Sequence, residues 1–338
     1  MADASPRVSV VIDNHNYGRF LAAAIDSALS QDVPHGEAEV VVVDDGSTDG
    51  SRDVIRSYGD RVRPVLLDPR RGQAEAFNAG IAAARGEIVC LLDSDDVWLH
   101  GKLAKVVALF DDPVVGVVQH WLDDVSGDLK SLGAFHPAWP RSYSLDDFLE
   151  ARAHFTATSG LSFRRKALLE ALPIPKELFY YLDDFLTVKT LFKWKAANIP
   201  EVLGLHRVHG GNWCASGLTD PAKIELDFRM RELFGASLKG WLAGAGRSLS
   251  PGYKAREELE LLRRRVLHAG LRARPVEAWR LWLEGFAAAR RSSFGRFRLG
   301  SLLLAVLSPT LYLSAYAFYS DTAGLKGLRL RLFPETNA

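Results

Sequence analysis

Apolar positions in the first hundred residues fall into short blocks, separated by stretches with helical spacing. Val8–Ile12, Glu39–Val43, Val62–Leu67 and Glu87–Leu92 are mostly apolar runs of strand length, the kind that reads as strand. Between them, residues 16–31 place Phe20, Leu21, Ile25, Ala28 and Leu29 at helical intervals, and helices are predicted over 49–58 and 74–84. Repeated strand–helix–strand units of this kind imply a mostly parallel, Rossmann-like sheet with helices on both faces. Residues 98–215 are less regular, with turn-like Gly127, Pro137, Pro140, Pro173 and Pro175. From about 221 to 291 the pattern is helical, rich in Leu, Arg, Glu and Ala, with no clean repeat period.

Polar residues concentrate where the apolar blocks end. Asp13–Asn16 follows the first, Asp44–Asp45 the second and Asp93–Asp96 the fourth. In such sheets ligands bind off the carboxyl ends of the strands. Carboxylates grouped there repel one another unless a cation relieves them, and Mg²⁺ or Mn²⁺ takes carboxylates together with waters and substrate phosphates. Taken alone, the acidic turn at 93–96 reads equally as a solvated turn that caps the next helix. The convergence of three strand ends favours a metal–diphosphate site.

Composition narrows the class. A chain of 338 residues with 48% hydrophobic and 25% charged residues is globular in character and long enough for two domains. Two cysteines, Cys90 and Cys214, are too few for a disulfide framework and suit a reducing, cytoplasmic setting. No apolar segment follows Met1, so no secretory signal is expected. The net charge of +1 hides an asymmetry. Residues 240–338 hold 16 Lys and Arg against 7 Asp and Glu, whereas the rest holds 26 against 34. An acidic first part with a basic tail points to an anionic surface as partner of the tail, and nothing points to nucleic acid.

The motifs in order, Val8–Leu21, Ala28–Gln31, Val43–Asp49, Gly72–Gly80, Ala84–Glu87 and Leu91–Asp96, resemble the family 2 glycosyltransferases of GT-A fold. The resemblance covers about residues 6–215. It implies a GT-A domain over 1–220, with a nucleotide-binding half at 6–97 and an acceptor half at 98–220. Residues 221–338 are left as a basic helical region. The resemblance also implies inverting transfer of a sugar from a nucleotide-diphosphate sugar, UDP first among them, with Mg²⁺ or Mn²⁺. Carried over residue by residue, Asp13, His15 and Asp45 correspond to the nucleoside pocket, where the His15 imidazole either stacks on the base or hydrogen-bonds. Asp44 reads rather as a turn carboxylate. Asp93–Ser94–Asp95 is the D-x-D, extended by Asp96, with metal and ribose ligands not assigned among them. Arg71 is either a diphosphate cation or half of a solvated pair with Arg70.

On the acceptor side the resemblance points to Asp184 as general base with Asp183 orienting it, at a place where Glu is commoner than Asp183. An in-line displacement at the anomeric carbon needs such a base opposite the departing diphosphate. The segment 158–165 corresponds to the pocket for acceptor and donor sugar. The loop 206–212 corresponds to one that closes over the diphosphate, with Arg207 adding charge and His209 either near the metal or merely exposed. The Gly210–Gly211 pair gives that loop hinge freedom.

Residues 299–320 carry no charge over 22 positions. As a straight helix they would reach roughly 33 Å, enough for a bilayer core, but Pro309 interrupts them and Ser301, Ser308, Thr310, Ser314 and Ser320 dilute them. Arg290, Arg291, Arg296 and Arg298 precede the run, and Lys326, Arg329 and Arg331 follow it. The expectation is a kinked helix pair lying on or dipping into the inner face of a membrane. A span, or a buried helical pair, is the alternative. Peripheral attachment at 290–331 would suit a glycan or lipid-linked acceptor. A sugar-nucleotide nucleotidyltransferase and a non-catalytic membrane scaffold are the competing classes. Against the first, Asp13–Gly18 lacks a basic Gly-rich phosphate loop, and against the second stand the retained acids.

Overall fold

The computed structural model describes residues 5–133, 136–212, 220–286 and 293–321. The chain divides into two compact units, one of residues 1–145 and 154–208, the other of 146–153 and 209–338.

The first unit begins with β1 (Val8–Asn14), α1 (Gly18–Leu29), β2 (Ala38–Asp45), α2 (Ser51–Ser57), β3 (Arg63–Leu67), α3 (Gln73–Ala83) and β4 (Ile88–Asp93). It continues through β5 (Val97–Trp98), α4 (Lys102–Leu109), β6 (Val115–Val125) and β7 (Ser142–Tyr143). After α5 (Leu145–Leu149), which from Asp146 on belongs to the second unit, come β8 (Leu161–Arg164), α6 (Arg165–Ala171), α7 (Leu182–Leu191) and β9 (Lys195–Arg207). The strands make one sheet in the order β3-β2-β1-β4-β8-β6-β9-β5, with β7 also on β9. The half expected from the apolar blocks, β3-β2-β1-β4, is parallel. Beyond it the sheet is mixed: β8 runs antiparallel to β4 and β6, and β6 is parallel to β9.

The chain leaves β1 toward β2 and β3, then returns to place β4 on the other side of β1. Order reverses between β1 and β4, and such a switch point opens a crevice at the strand ends. The helices seal the faces. α1 buries Leu21, Ala24, Ile25 and Ala28, one stripe at helical spacing. α3 lies so close that a Cβ on Gly80 would stand 2.5 Å from Val11 Cγ1 and 2.8 Å from Val43 Cγ2.

The second unit is helical: α8 (Pro221–Gly244), α9 (Pro251–Leu271), α10 (Pro275–Glu284), α11 (Ser293–Leu307) and α12 (Pro309–Asp321). Asp220 and Ser250 cap α8 and α9 by accepting from the backbone of Ala222 and Tyr253, each with proline at the first turn. Residues 146–153 belong here: Ser250 Oγ donates to Leu149 O, and Arg247 pairs with Asp146. The apolar run of 299–320 is two helices broken at Ser308–Pro309, because proline has no N–H to continue the ladder. Leu299, Leu302, Ala305, Val306 and Tyr312 are buried with Val266 and Leu267 of α9 in one core. No described helix is long and apolar enough to cross a membrane. The basic flank residues Arg290, Arg291, Lys326, Arg329 and Arg331, and Cys214, lie outside the described residues.

Candidate active site

Register assembles the site. In the parallel pairing of β1 with β4, Asp13 lies opposite Asp93, and in that of β1 with β2, Asn14 lies opposite Asp44. The strand-end clusters are therefore neighbours at the switch point.

Asp13 Oδ2 accepts from Gln73 Nε2 at 3.0 Å, while Asp13 Oδ1 and Asp93 Oδ1 are buried with no hydrogen-bond partner. Burial pushes the Asp13 carboxyl up to about 7, helped by the charge of Asp95 and opposed by hydrogen bonds from Gln73 and to Asp93. Burial, then the charges of Asp13, Asp96 and Asp95, lifts Asp93 well above the usual carboxylate range. Two buried carboxyls side by side, each with an idle oxygen, need either a proton or a cation between them.

Asp96, expected among the metal ligands, is turned into the protein. Its Oδ2 accepts from Ser159 Oγ at 2.6 Å and its Oδ1 from the Arg207 backbone N–H at 2.8 Å. Burial raises it to about 6, partly offset by the charge of His206 and the hydrogen bonds. Ser159 is the pivot, since its Oγ also accepts from the Asp93 N–H at 3.0 Å. One hydroxyl thus fixes both ends of the acidic turn. Ser94 and Asp95, between those ends, are buried. Arg207 binds the Asp95 carbonyl through Nε at 2.7 Å and lies 4.5 Å from the Phe20 ring centroid. Gln73 and Ser159 lie in segments that the sequence singles out, 72–80 and 158–165, but only the fold shows what they hold.

Nothing among the described residues groups three or more His, Cys, Asp or Glu side chains as a closed metal cage. Mg²⁺ and Mn²⁺ bind through one or two carboxylates and keep waters and phosphates for the remainder. The idle oxygens of Asp13 and Asp93 are the donors such an ion takes, so these residues fit it.

Asp45 is held from both sides. Its Oδ1 accepts from the Arg71 backbone N–H at 2.6 Å and its Oδ2 from that of Gly72 at 2.8 Å. The Arg70 guanidinium, not that of Arg71, lies 3.8 Å from Asp45 Oδ2. Gly46 permits this arrangement, because at φ +65° a side chain there would stand 2.6 Å from the Arg70 nitrogen. His15 Nδ1 lies 2.7 Å from the Asp45 carbonyl oxygen and must donate to it, leaving Nε2 to accept from Asn16 Nδ2 at 3.2 Å. Asp44 is a turn carboxylate, receiving Asn14, the Ser47 N–H and the Arg52 guanidinium.

Tyr17 joins the group. Burial, then the charges of Asp95 and Asp93, drives its phenol up to about 12. At the opposite rim His206 faces the acids: burial pulls it down, but the hydrogen bond to Asp124 and the charges of Asp96, Asp124 and Asp95 lift it to about 9.

Asp183 and Asp184 open α7, after Tyr181 in the left-handed conformation at φ 65°. Asp183 Oδ1 accepts the Asp184 N–H at 2.9 Å, and burial raises the Asp183 carboxyl. The segment leading to them is tied to α3 by two hydrogen bonds between Asn78 and Ile174, and a Cβ on Gly72 would meet the Phe179 ring at 3.9 Å. His209 belongs to the other unit, where its backbone N–H donates to Asn212 Oδ1 and its Nδ1 accepts from Gly211 at 3.0 Å.

Comparison with known proteins agrees with this layout. Residues 9–172 match the family model described as glycosyl transferase family 2. An uncharacterized glycosyltransferase of Nostoc sp. is 39% identical over 215 residues, 61% of this chain and 66% of its own length. Among solved structures, Staphylococcus aureus TarS 1-349 in complex with UDP-GlcNAc has a TM-score of 0.61 at 19% identity, covering 93% of this chain and 88% of its own. The mannosyltransferase PcManGT of Pyrobaculum calidifontis, in complex with GDP-Man and Mn²⁺, has a TM-score of 0.54 at 22% identity, covering 94% and 88%. Likeness at that identity speaks for the fold. The chain spans between about a third and two thirds of the length of the curated relatives it matches, which include proteins named for teichuronic acid biosynthesis in Bacillus subtilis and succinoglycan biosynthesis in Rhizobium meliloti.

Proposed function

We propose, for a chain that belongs over residues 9–172 to the family 2 glycosyltransferases, that it transfers a sugar with inversion from a nucleotide-diphosphate sugar, UDP first among the bases, to a glycan or lipid-linked acceptor. The observation that carries the reading is the pair of buried carboxyl oxygens on Asp13 and Asp93, idle at the switch point of the sheet. A buried acid pair without a cation is costly, and a divalent ion together with a diphosphate relieves it. Asp93 and Asp95, with Asp13 beside them, would hold Mg²⁺ or Mn²⁺, which would supply Lewis-acid neutralisation of the departing diphosphate.

The chain's own groups do the rest. Asp45, pinned by the Arg71 and Gly72 N–H groups, keeps lone pairs for a base N–H, and His15 offers its flat ring next to it. Ser94 lies on the turn where a ribose hydroxyl fits. The guanidinium of Arg70, with that of Arg71 next to it, meets diphosphate oxygens. Asp184 takes the proton of the acceptor hydroxyl as it attacks the anomeric carbon, and Asp183 fixes the start of its helix.

The basic helical unit attaches the protein to an anionic membrane surface. Val276, Trp279 and Leu283 are exposed on one stripe of α10, with Phe286 exposed just past its end, beside Arg272, Arg274 and Arg280.

The test is thermal-shift titration of the full chain with UDP, GDP and dTDP, each with and without Mn²⁺. A ligand that binds only the folded state raises Tm by mass action. Metal-dependent stabilisation by one nucleotide is expected, and stabilisation by none overturns the reading. Asp184→Asn is expected to keep that stabilisation while losing about 10²–10⁴-fold in transfer rate.

A further inference from the structure

Four residues at the far end of β6 are arranged for a task that the donor site does not use. Trp121 stacks on His136, with ring centroids 4.9 Å apart at 17°, and meets Trp139 at 5.9 Å and 51°. His136 Nε2 is held at 2.9 Å by Asp123 Oδ1, and Trp121 and Asp123, two apart on the strand, share a face. None of the four is fully buried. The indole nitrogens of Trp121 and Trp139 are nevertheless covered and have no acceptor among the described residues. Indole N–H groups normally find a partner when buried.

The sheet fixes where this wall stands. Ser162 pairs with both Cys90 on β4 and Val118 on β6. Three residues further along, Asp93 on β4 and Trp121 on β6 flank the 3-10 turn Thr158–Gly160 that leads into β8. The Asp93 N–H on Ser159 Oγ ties that turn to β4 on one side. On the other, a Cβ at Gly160 would stand 2.9 Å from the His120 carbonyl. Two strand spacings, about 10 Å, separate β4 from β6 where Cys90 and Val118 flank Ser162, a distance on the order of one sugar ring with its substituents. Alternation puts Trp121 on the same face as Asp93 and Asp13, the face that α3 covers at Val11 and Val43. Gln119, also on that face, binds Asn198 Oδ1 at 2.8 Å, and Asn198 Nδ2 donates to the Pro140 carbonyl at 2.8 Å. These bonds tie down the segment that carries Trp139.

We propose that Trp121, Trp139, His136 and Asp123 form an acceptor subsite that seats a pyranose ring one sugar away from the donor-metal site. The stacked aromatic surface receives the C–H face of the sugar, and the Asp123 carboxylate, which already accepts from His136 through Oδ1, accepts from a hydroxyl. Apolar surface with a few placed polar groups is the usual make-up of such a site. Its role in transfer rests on the glycosyltransferase reading, but the sugar-binding surface can be tested without it.

Saturation-transfer NMR on the full chain with methyl β-glucopyranoside, methyl β-galactopyranoside and methyl β-N-acetylglucosaminide provides the test. Transfer to the ring C–H protons is expected for at least one glycoside. It should fall about fivefold in Trp121→Ala and in Trp139→Ala, the worth of one aromatic face, and persist in Trp121→Phe. UDP with Mn²⁺ should stabilise all of these proteins alike, which also shows that the variants are folded. Equal transfer in the wild type and Trp121→Ala overturns the proposal, as does absence of transfer from every glycoside to the wild type. Should no nucleotide stabilise the wild type while glycoside signals still follow Trp121, the donor reading falls and the sugar subsite stands.

Discussion

Asp13 condenses the chemistry of the site into one side chain. Its carboxyl ordinarily titrates near 3.8, and burial moves it to about 7 in the folded chain. Between those values the folded state holds a proton that the unfolded state has lost, so the contribution to stability falls as pH rises through that window and is gone above it. In Asp13→Asn the amide oxygen still accepts from Gln73 but the charge is removed. The metal-free variant is expected to be more stable than wild type by roughly 2–4 kcal/mol at pH 8, with no gain at pH 4, read by urea unfolding at the two pH values. A divalent cation competes with that same proton. Stabilisation of the wild type by Mn²⁺ should therefore grow from pH 5 to pH 8, and Asp13→Asn should flatten that trend. Among single residues, the acids were legible because three carboxylate clusters at strand ends have no packing role. Gln73 and Ser159 were not, since an amide and a hydroxyl gain meaning only from the partners that the fold brings to them.

At the scale of elements, register decides which acids meet. The parallel β1–β4 pairing sets Asp13 beside Asp93, and β8, inserted antiparallel, brings Ser159 under the acidic turn. Ser159→Ala strips an acceptor from the Asp93 N–H and a donor from Asp96. A loss of about 1–3 kcal/mol is expected from buried groups left unsatisfied, measured by chemical denaturation. Gly80→Ala tests the seat of α3 on the sheet. An added methyl would overlap Val11 and Val43, and overpacking should cost about 1–3 kcal/mol, read as a lower Tm with unchanged far-UV dichroism. The apolar blocks foretold the first four strands and three helices to within a few residues. The second half of the sheet escaped them, because β5 and β7 are two residues long and β6 and β9 carry polar residues and bulges.

At the scale of the whole molecule, two units share one chain in an interleaved way, with residues 146–153 belonging to the helical unit. A chain ending at Val208 loses the groups that Leu149, Asp146 and Ala151 bind, namely Ser250, Arg247 and Arg256. It is expected to unfold at a lower temperature and to recover poorly in soluble form, whereas a simple tail would leave Tm unchanged. The stripe on α10 supplies the test of membrane attachment. Flotation with anionic phosphatidylglycerol vesicles should exceed flotation with neutral phosphatidylcholine and weaken at high salt. Leu283→Glu should reduce it several-fold with little change in Tm, since Leu283 is 60% exposed.

By itself the sequence determined the parallel half-sheet, the strand ends on which the acids sit and the family to which residues 9–172 belong. These follow from local order: apolar period, chain spacing and motifs a few residues long. Only the tertiary structure decided that Asp96 faces inward, that the backbone at Arg71 and Gly72 holds Asp45, that the run 299–320 folds back on α9, and that Trp121 stacks against His136 and Trp139. Each of those depends on partners tens of residues away, and pairing at such distances is set by sheet register and packing, which no local pattern encodes.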